Sequence, residues 1–566
     1  MLERFLERAD FTSYLDFYNN YRLIYPNNFN FGFDVVDEWA VLEPEKIALV
    51  WCNDSGEERI LTFADIKRDS ARIANMLSDM GIKKGDNVLL ILKQRYEYWL
   101  TAVALHKIGA IVIPGSVQLT AKDLIYRNNA AQIKMIISVN EPYTVSQIEA
   151  AMPGSPSVTA YGLIGAKREG WFSFSDYLSY TDVFDRPAGE KAVLARDMML
   201  TYFTSGTTGM PKMVAHDNTY PLGHITTAKY WQQVRDNGLH LTVADSGWAK
   251  FGWGKIYGQW IAGSAVMAYD FDRFIPDKVL RCVDKYRVTT FCAVATMYRY
   301  FIKEDLSLFD LSCIVHAATA GEALNPEVFN QFLKATGIKI YDGFGQSESS
   351  VLMATFEWFE PKPGSMGKPS PLYDIDLINE DGHSCPVGEE GEIVIKNLDK
   401  RFPEGLLKGY FQNGMVAKDC FTDGVYRTGD VAWRDVNGYY WFVGRTDDVI
   451  KCSGYRIGPF EVESAVMEHP AVLECAVTAY PDDIRGQVVK ASIVLAQGYE
   501  PSNELIKEIQ EHVKKTTAPY KYPRRVEFVA ELPKTSSGKI KRAQIKRENE
   551  ESARVSSRDP SNKTQY

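Results

Sequence analysis

Residues 88–113 read VLLILKQRYEYWLTAVALHKIGAIVI, and this pattern indicates the fold class. The apolar run 88–92 is typical of a strand that is buried on both faces of a sheet. Apolar residues then follow at helical spacing up to Gly109, where the helix is expected to end, and residues 110–113 resume as a strand. Strand, helix and strand together form a βαβ unit, so a parallel sheet is predicted.

The same alternation continues along the chain. Short apolar runs at 135–139, 198–203 and 314–317 are separated by helical stretches, which is typical of α/β folds. A chain of 566 residues is too long for one core, because domains usually contain about 100 to 200 residues. We therefore predict an α/β fold with a large multi-sheet N-terminal domain, residues 1–446.

The C-terminal part of the sequence has a different pattern. Asn437-Gly438 between two aromatic-rich segments predicts a hairpin, and Pro459 is expected to open a helix that runs to Met467. Two strands, a helix with apolar residues at spacing i, i+4, i+8 and a last strand follow. Residues 447–566 are therefore predicted to form a smaller α+β C-terminal domain. After about residue 547 the chain is charged and polar, so a disordered tail is expected.

Charge and cysteine usage exclude several functional classes. The chain has 64 Lys and Arg against 73 Asp and Glu, a net charge of −9, so no global field attracts nucleic acid or acidic membranes. The eight cysteines form no C-x-x-C pair and no cluster with His, which argues against a disulfide framework or a structural zinc. The N-terminus lacks the apolar core of a signal peptide. We expect a soluble cytoplasmic protein without a stable membrane anchor.

Residues 204–212, TSGTTGMPK, follow the apolar run 198–203 and combine hydroxyls, glycines and a lysine. Glycines let backbone N–H groups approach an oxyanion, hydroxyls donate further hydrogen bonds, and lysine adds positive charge. The segment does not fit a Walker A loop. A polar surface loop is the alternative, and nine consecutive positions of this chemistry argue against it. The residues predicted to bind polyphosphate are Thr204, Ser205, Gly206, Thr207, Thr208, Gly209 and Lys212.

This segment resembles the phosphate loop of the adenylate-forming superfamily, which contains acyl-CoA synthetases, adenylation domains of peptide synthetases and luciferases. The resemblance covers most of the chain, because further motifs follow in the family's order. They are AGEAL at 320–324, DGFGQSE at 342–348, YRTGD at 426–430, GRTDD at 444–448, SGYR at 453–456 and PKTSSGK at 533–539. The resemblance implies binding of ATP and Mg²⁺, and a small C-terminal domain that moves.

The resemblance also implies roles for single residues. Phe344 would stack on adenine, Ser347 would contact the α-phosphate, and Glu348 would hold Mg²⁺. Tyr and Thr are usual in the family where Phe344 and Ser347 stand, but the ring face and the hydroxyl are retained. Asp430 would accept from the ribose hydroxyls, and Arg445 would bind ribose or phosphate. The remaining residues implied in ATP binding are Gly321, Glu322, Asp342, Gln346, Arg456 and Lys539.

Lys539 resembles the catalytic lysine of the C-terminal domain. Attack of a carboxylate on the α-phosphate accumulates negative charge, which an ammonium group stabilises. A solvated basic tail is the interpretation preferred for the cations nearby: Lys541, Arg542, Lys546 and Arg547. Asp447 occupies the position of a hinge that brings Lys539 to the site for one half-reaction and removes it for the other. An exposed acidic turn is the alternative for Asp447.

Residues 453–459 and 520–525 look most like medium-chain acyl-CoA synthetases. Clustered cations suit the phosphates of CoA. The resemblance implies CoA contacts by Gln118, Ser453, Gly454, Tyr455, Arg485, Lys514, Tyr522 and Arg524. Solvated charge remains the alternative for Lys514.

The acyl pocket is inferred from one absent side chain. Acetyl-CoA synthetases carry a tryptophan where Gly345 stands, so Gly345 is expected to leave that space open. The other candidate pocket residues are Trp248, Lys250, Trp253 and Cys292. Lys250 replaces an apolar residue, so either it points to solvent or the substrate is not a plain fatty acid. A core thiol is the alternative for Cys292.

These inferences predict an ATP-dependent acyl-CoA synthetase. It would convert a carboxylic acid, ATP and CoA to acyl-CoA, AMP and pyrophosphate through an acyl-adenylate, acting on medium-chain or branched short acids. An adenylate-forming ligase with a carrier protein or another acceptor is the alternative. A catalytically silent homologue is disfavoured, because no ATP motif and no lysine motif has lost its functional group. The sequence leaves a homo-oligomer open and gives no sign of a nucleic-acid partner.

Overall fold

The computed structural model describes residues 1–204, 211–412, 415–452, 455–482, 485–534 and 540–558, with side chains up to residue 554. Its strands, in chain order, are β1 (Ile47–Asn53), β2 (Glu58–Thr62), β3 (Asn87–Ile91), β4 (Ile111–Pro114), β5 (Ile133–Val139), β6 (Ala160–Ile164), β7 (Phe172–Ser173), β8 (Met198–Thr204), β9 (Lys212–Asp217), β10 (Leu239–Thr242), β11 (Ala265–Asp270), β12 (Thr290–Ala293), β13 (His316–Ala320), β14 (Ile340–Phe344), β15 (Met353–Ala354), β16 (Ser365–Pro369), β17 (Ile375–Ile378), β18 (Glu390–Ile395), β19 (Gly409–Gln412), β20 (Met415–Ala417), β21 (Phe421–Thr422), β22 (Val425–Arg434), β23 (Tyr440–Arg445), β24 (Ile450–Cys452), β25 (Tyr455–Ile457), β26 (Val472–Asp482), β27 (Gly486–Leu495) and β28 (Arg525–Phe528).

The helices are α1 (Tyr14–Asn20), α2 (Glu38–Leu42), α3 (Phe63–Asp79), α4 (Glu97–Ile108), α5 (Ala121–Ala130), α6 (Pro142–Ala151), α7 (Tyr220–Ile225), α8 (Ala249–Gly254), α9 (Tyr257–Ile261), α10 (Pro276–Tyr286), α11 (Ala295–Phe301), α12 (Pro326–Thr336), α13 (Pro459–Met467), α14 (Asn503–Thr516) and α15 (Arg542–Arg558). Among the described residues, no helix is long and apolar enough to span a bilayer.

The first sheet has the order β20-β19-β9-β8-β4-β3-β5-β6-β7 and is parallel from β8 to β7. The predicted βαβ unit is confirmed as β3, α4 and β4. Gly109 ends α4 in the left-handed region at φ +84°, a conformation that glycine adopts without strain. Every residue of α4 is buried, so the helix has no polar face. It is recognised from its length and from the glycine at its end rather than from an amphipathic stripe.

The second sheet has the order β17-β18-β22-β23-β16-β15-β14-β13-β12-β10-β11-β1-β2, and β21 pairs with β22. Its strands from β14 to β1 are parallel. Strand β13 ends where the motif 320–324 begins, and β14 ends within the motif 342–348. The apolar run 314–317 predicted β13 slightly too early, because Ile314 ends a short 3₁₀ turn before the strand. The β22–β23 hairpin is confirmed at Asn437-Gly438 and places Asp430 opposite Arg445.

The third sheet is formed by β25, β24, β27 and β26, with β28 parallel to β27. Helix α13 begins at Pro459 and ends at Met467, as the sequence predicts. The α/β fold class with a smaller α+β part is therefore confirmed.

The expected disordered tail after residue 547 is wrong for the described residues, since α15 continues to Arg558. Ile545 and Asn549 on α15 are buried, and the Asn549 amide donates to Thr478 Oγ1 at 3.0 Å on β26. A solvated position is also wrong for Arg542, whose guanidinium makes two 2.7 Å bonds to the buried carboxylate of Glu463. Among the described side chains of this helix, the contacts with the rest of the domain are made mainly by one aliphatic residue, one amide and one paired charge, so the sequence shows no apolar stripe.

Lys546 also differs from the solvated cation expected from the sequence. It lies 3.1 Å from Asp448 and donates to the backbone carbonyl of Asp447. Lys541 and Arg547 are exposed, as expected.

Candidate active site

The flanks of the predicted phosphate loop form a two-stranded frame. Thr204, at the end of β8, pairs with Lys212, at the start of β9. Antiparallel pairing brings both ends of the loop to the edge where the parallel strands end. The loop residues Ser205, Gly206, Thr207, Thr208 and Gly209 lie outside the described residues.

Lys212 and Glu348 meet at one tyrosine. The Lys212 ammonium lies 4.8 Å from the centre of the Tyr410 ring, and the Tyr410 hydroxyl donates to Glu348 Oε1 at 3.0 Å. Burial raises the pKa of Glu348, and Tyr410, Arg445 and Lys212 oppose that effect. A half-buried carboxylate with a raised pKa is a site where a bound cation would be favourable. Tyr410 belongs to none of the sequence motifs, so sequence reasoning missed it.

The backbone of Ser347 is fixed by a second residue that the sequence motifs do not include. His216 is buried, and this desolvation lowers its pKa to about 4. The ring is therefore neutral at pH 7, and its Nε2–H donates to the Ser347 carbonyl at 2.8 Å. Lys212 and His216 are four residues apart on β9, so they lie on the same face of the strand. The i, i+4 pattern on a strand was the signal available for His216.

Three motifs converge around Asp430. The Gln346 amide donates to Asp430 Oδ2 and to the Thr428 carbonyl, the latter at 2.8 Å, while Tyr426 donates to Gln346 Oε1 at 3.0 Å. The Arg445 guanidinium lies 3.5 Å from Asp430 Oδ1. Both carboxylate oxygens are thus oriented by a donor.

Phe344 and Asp342 end β14 next to this network. The Phe344 ring is half-buried, 6.1 Å from the Phe442 ring centre. Asp342 is buried, which raises its pKa to about 8, and it accepts from the backbone N–H groups of Leu324 and Gly343. The motif residues 320–324 and 342–348 are therefore joined by a buried carboxyl group.

Gly321 and Glu322 lie at the end of β13. Gly321 has φ +95°, and a Cβ placed there would meet only Val294, at 3.9 Å. The position thus needs glycine for its backbone conformation rather than for lack of room. Glu322 accepts from the Thr296 hydroxyl at 2.6 Å and from the Thr296 backbone N–H at 3.1 Å. Its carboxylate therefore fixes the start of α11.

The space expected to be open at Gly345 is filled. A Cβ built on Gly345 would overlap the indole of Trp253 and lie 2.8 Å from the Ser350 carbonyl oxygen. Trp253 is buried and packs edge-on against Trp231. The expectation failed because a residue 92 positions earlier in the chain occupies the space, and sequence spacing does not reveal that contact.

Lys250 does not point freely to solvent. It is half-buried, and its ammonium donates to the Ala320 carbonyl at 2.9 Å, directly before Gly321. Cys292 is fully buried, which raises its pKa. Trp248 is half-buried at the start of α8, with its backbone N–H bonded to Asp245. Helix α8 thus brings Lys250 and Trp253 to the ends of β13 and β14.

The residues assigned to CoA form two aromatic groups. Tyr522 lies between two cations: Lys514 is 4.4 Å and Arg524 4.9 Å from its ring centre. Tyr455 stacks on Tyr520 at 4.2 Å. Two other CoA candidates lie apart from these aromatic groups. Arg485 follows β26 and donates its backbone N–H to Asp482, and Gln118 is exposed after β4. Ser453 and Gly454 lie outside the described residues.

Arg456 is separated from the other ATP candidates in this arrangement. Its guanidinium bonds to Glu380 at 2.7 Å, and both side chains are largely exposed. Asp447 is exposed, with its carboxylate 3.8 Å from Arg445. Lys539 lies outside the described residues, as do residues 535–538 before it.

Residues 36–411 match the family model described as AMP-binding enzyme, and residues 461–539 match the AMP-binding enzyme C-terminal domain. The chain belongs to the AMP-binding enzyme family. The mouse mitochondrial acyl-coenzyme A synthetase ACSM3 is 39% identical over 95% of this chain and 93% of its own length. Human mitochondrial ACSM5 is 40% identical over 93% and 91%. These relatives confirm the prediction of an acid–thiol ligase of the acyl-CoA synthetase class.

Solved structures of this family confirm the fold. An anthranilate CoA ligase, AuaEII, in complex with anthranoyl-AMP has a TM-score of 0.86 at 28% identity, covering 94% of this chain and 99% of that one. A Brucella canis acyl-CoA synthetase has a TM-score of 0.69 at 29% identity, covering 93% and 95%. The expectation of a cytoplasmic protein is contradicted, because the similar curated members of the AMP-binding enzyme family are named as mitochondrial.

Proposed function

We propose that this AMP-binding enzyme forms an acyl-adenylate from ATP and a carboxylic acid, and then transfers the acyl group to CoA with release of AMP. The observation that carries the proposal is the convergence of Gln346, Asp430 and Arg445 beside the Lys212–Tyr410–Glu348 group. One group offers a preoriented carboxylate for ribose, and the other offers a cation and a carboxylate for polyphosphate and metal.

Asp430 is the ribose ligand in this proposal. Gln346 and Arg445 each approach a different oxygen of its carboxylate. The remaining lone pairs are available for the 2′ and 3′ hydroxyls, since a carboxylate accepts about four hydrogen bonds. Phe344 supplies the adjoining ring face for adenine.

Glu348 is the protein ligand for Mg²⁺ in this proposal. Among the described residues, no cluster of three or more His, Cys, Asp or Glu side chains could hold a metal alone. One half-buried carboxylate fits an ion that takes most of its ligands from phosphates and water, as Mg²⁺ does. When bound, the ion would neutralise phosphate charge. Lys212 adds a second positive charge at the end of β9.

Lys539 is proposed to stabilise the negative charge that develops when the substrate carboxylate attacks the α-phosphate. The carboxylate oxygen forms the new bond to phosphorus, and the bond to pyrophosphate breaks. Thioester formation needs no such charge, so Lys539 would be dispensable there. Rotation at Asp447 would remove it and bring the residues around Tyr522 towards CoA.

The acid is proposed to be branched and short or of medium length, bound between α8 and the ends of β13 and β14. Trp253 over Gly345 shortens this space, which favours compact acyl groups within that range. Lys250 adds a polar group bonded to the Ala320 carbonyl. The anthranoyl-AMP complex of AuaEII supports an adenylate intermediate in a related enzyme.

The test is ATP-dependent release of pyrophosphate across a panel of carboxylic acids, with and without CoA. The proposal predicts pyrophosphate and AMP, with acyl-CoA only when CoA is present. Pyrophosphate release with no acyl-CoA product, even when CoA is present, would instead indicate a ligase with another acceptor. Release of ADP and phosphate would contradict both.

A further inference from the structure

Two cysteines far apart in sequence touch each other near the β2 edge of the second sheet. Cys52 on β1 and Cys282 on α10 are 230 residues apart, yet their sulfur atoms are 3.5 Å apart. Both thiols are free and nearly buried, with 5% and 8% of each residue exposed. Neither belongs to a motif of the AMP-binding enzyme family discussed above.

We propose that Cys52 and Cys282 form a reversible dithiol–disulfide pair, a modification site whose oxidant is a hydroperoxide. A disulfide bond is about 2.05 Å long, so the two sulfur atoms need to approach by about 1.5 Å from a 3.5 Å separation. Rotation of two side chains can share that distance. The proposal does not depend on the proposed function, because β1 lies four strands away from β13 in the second sheet.

The surroundings distinguish the two thiols. Cys282 and the Tyr286 hydroxyl donate hydrogen bonds to the Cys52 sulfur, and Lys285 adds positive charge, so the pKa of Cys52 is lowered. Glu58, opposite Cys52 in the β1–β2 register, and burial act against this. Cys52 is therefore the thiol that ionises first and attacks.

Access is from the side of an exposed ion pair. Lys285 and Glu58 bond to each other beside the two thiols, with side chains 60% and 45% exposed. Because both thiols are nearly buried, a small, uncharged oxidant can reach them more easily than a bulky disulfide can. Metal binding is not supported, since the described residues contain no third ligand that would complete a site with the two thiols.

The reaction balances in two steps. The Cys52 thiolate attacks one oxygen of hydrogen peroxide, the O–O bond breaks, and the departing hydroxide takes up the released proton to leave a sulfenic acid. The Cys282 thiol then attacks that sulfur, the S–O bond breaks, and a second water leaves with the Cys282 proton. The two sulfur atoms together lose two electrons, which reduce the peroxide to water.

The disulfide would join α10 to β1 and close a loop of 230 residues. Cross-links over long loops restrict the unfolded chain. Oxidation should therefore raise Tm by a few degrees, and a dithiol reductant should reverse the shift.

The direct experiment is mass spectrometry of the wild-type protein after hydrogen peroxide treatment, digested with trypsin without reduction. We expect peptide 47–59 linked to peptide 282–285, with two fewer alkylatable thiols per chain. Cys282→Ser should abolish the link and leave a Cys52 sulfenic acid that dimedone traps. Cys313→Ser, a half-buried cysteine elsewhere on the same sheet layer, should leave the link unchanged.

Sulfinic or sulfonic acid on Cys52 as the main product, or a thiol count that stays at eight, would overturn the proposal. A link from Cys52 to a cysteine other than Cys282 would overturn it as well. The thiol count and the linked peptide are measured on the wild type, so they remain decisive even if Cys282→Ser does not fold.

Discussion

The ribose network and the contacts of the C-terminal part with the rest of the chain are built differently. Asp430 is buried, and the Gln346 amide beside it is bonded through both its nitrogen and its oxygen. By contrast, Arg456 reaches Glu380 through an exposed ion pair, and Asn325 meets the Ser464 carbonyl at 3.3 Å. Exposed ion pairs contribute about 0–1 kcal/mol. The nucleotide network is thus bonded at several buried points, whereas these two contacts of the C-terminal part are an exposed ion pair and one long hydrogen bond.

The largest effect is expected for Lys539 in the C-terminal part. Lys539→Ala should lower the rate of adenylation by about 10²–10³-fold, because one preorganised positive charge is lost from the transition state. Thioester formation from supplied acyl-AMP and CoA should survive. Lys541→Ala, two residues away and exposed, is the matched control. Equal loss of both half-reactions would contradict the separate roles of the two regions.

Glu348→Gln should have two opposite effects at the nucleotide site. Adenylation should fall by about 10²-fold, because the Mg²⁺ ligand is lost. The free protein should become more stable at neutral pH, since burial raises the pKa of Glu348 and its ionised form costs folding energy. That cost is absent at low pH, where the carboxyl is protonated, and appears as the pH rises through the pKa. Unfolding curves at acid and neutral pH measure it, with exposed Glu360→Gln as control.

Gly345→Trp should mainly disturb packing. The indole of Trp253 already lies where a side chain would extend, so the variant must displace it. Overpacking of this kind costs about 1–3 kcal/mol, and activity on acids of four or more carbons should fall more than activity on acetate. The ratio of kcat/KM for the two acids, together with Tm, measures this. An unchanged Tm with an unchanged ratio would show that Trp253 does not restrict the acyl space.

The smallest effect is expected for the exposed ion pair. Arg456→Ala should change the ratio of thioester formation to adenylation by less than about fivefold, because a surface pair contributes at most about 1 kcal/mol. High salt should remove the difference. A loss of about 10²-fold in adenylation would instead show that Arg456 binds the nucleotide, as the resemblance implied. The C-terminal part would then have to adopt a second orientation that brings Arg456 to the nucleotide.

The fold was predictable wherever a local pattern determines it. The buried run of β3, the glycine that ends α4 and the proline that opens α13 each act within a few residues. Helix α15 was not predictable in this way, because its packed face depends on Arg542 meeting a carboxylate 79 residues earlier.

The same distinction between local patterns and long-range contacts applies to the candidate site. Motif residues such as Gln346 and Asp430 carry their chemistry in the sequence, and the hairpin register then brings them together. His216, Tyr410 and Trp253 act through contacts between distant strands and helices, which spacing alone does not show. Lys539 and residues 205–209 remain predictions, because they lie outside the described residues.

The central claim is that the reaction passes through an acyl-adenylate. The most direct measurement is mass spectrometry of the products formed by the wild-type enzyme with ATP, Mg²⁺ and an active acid before and after CoA is added. We expect acyl-AMP and pyrophosphate without CoA, and conversion of that acyl-AMP to acyl-CoA and AMP once CoA is present. Acyl-CoA accompanied by ADP and phosphate, with no acyl-AMP at any time, would contradict it.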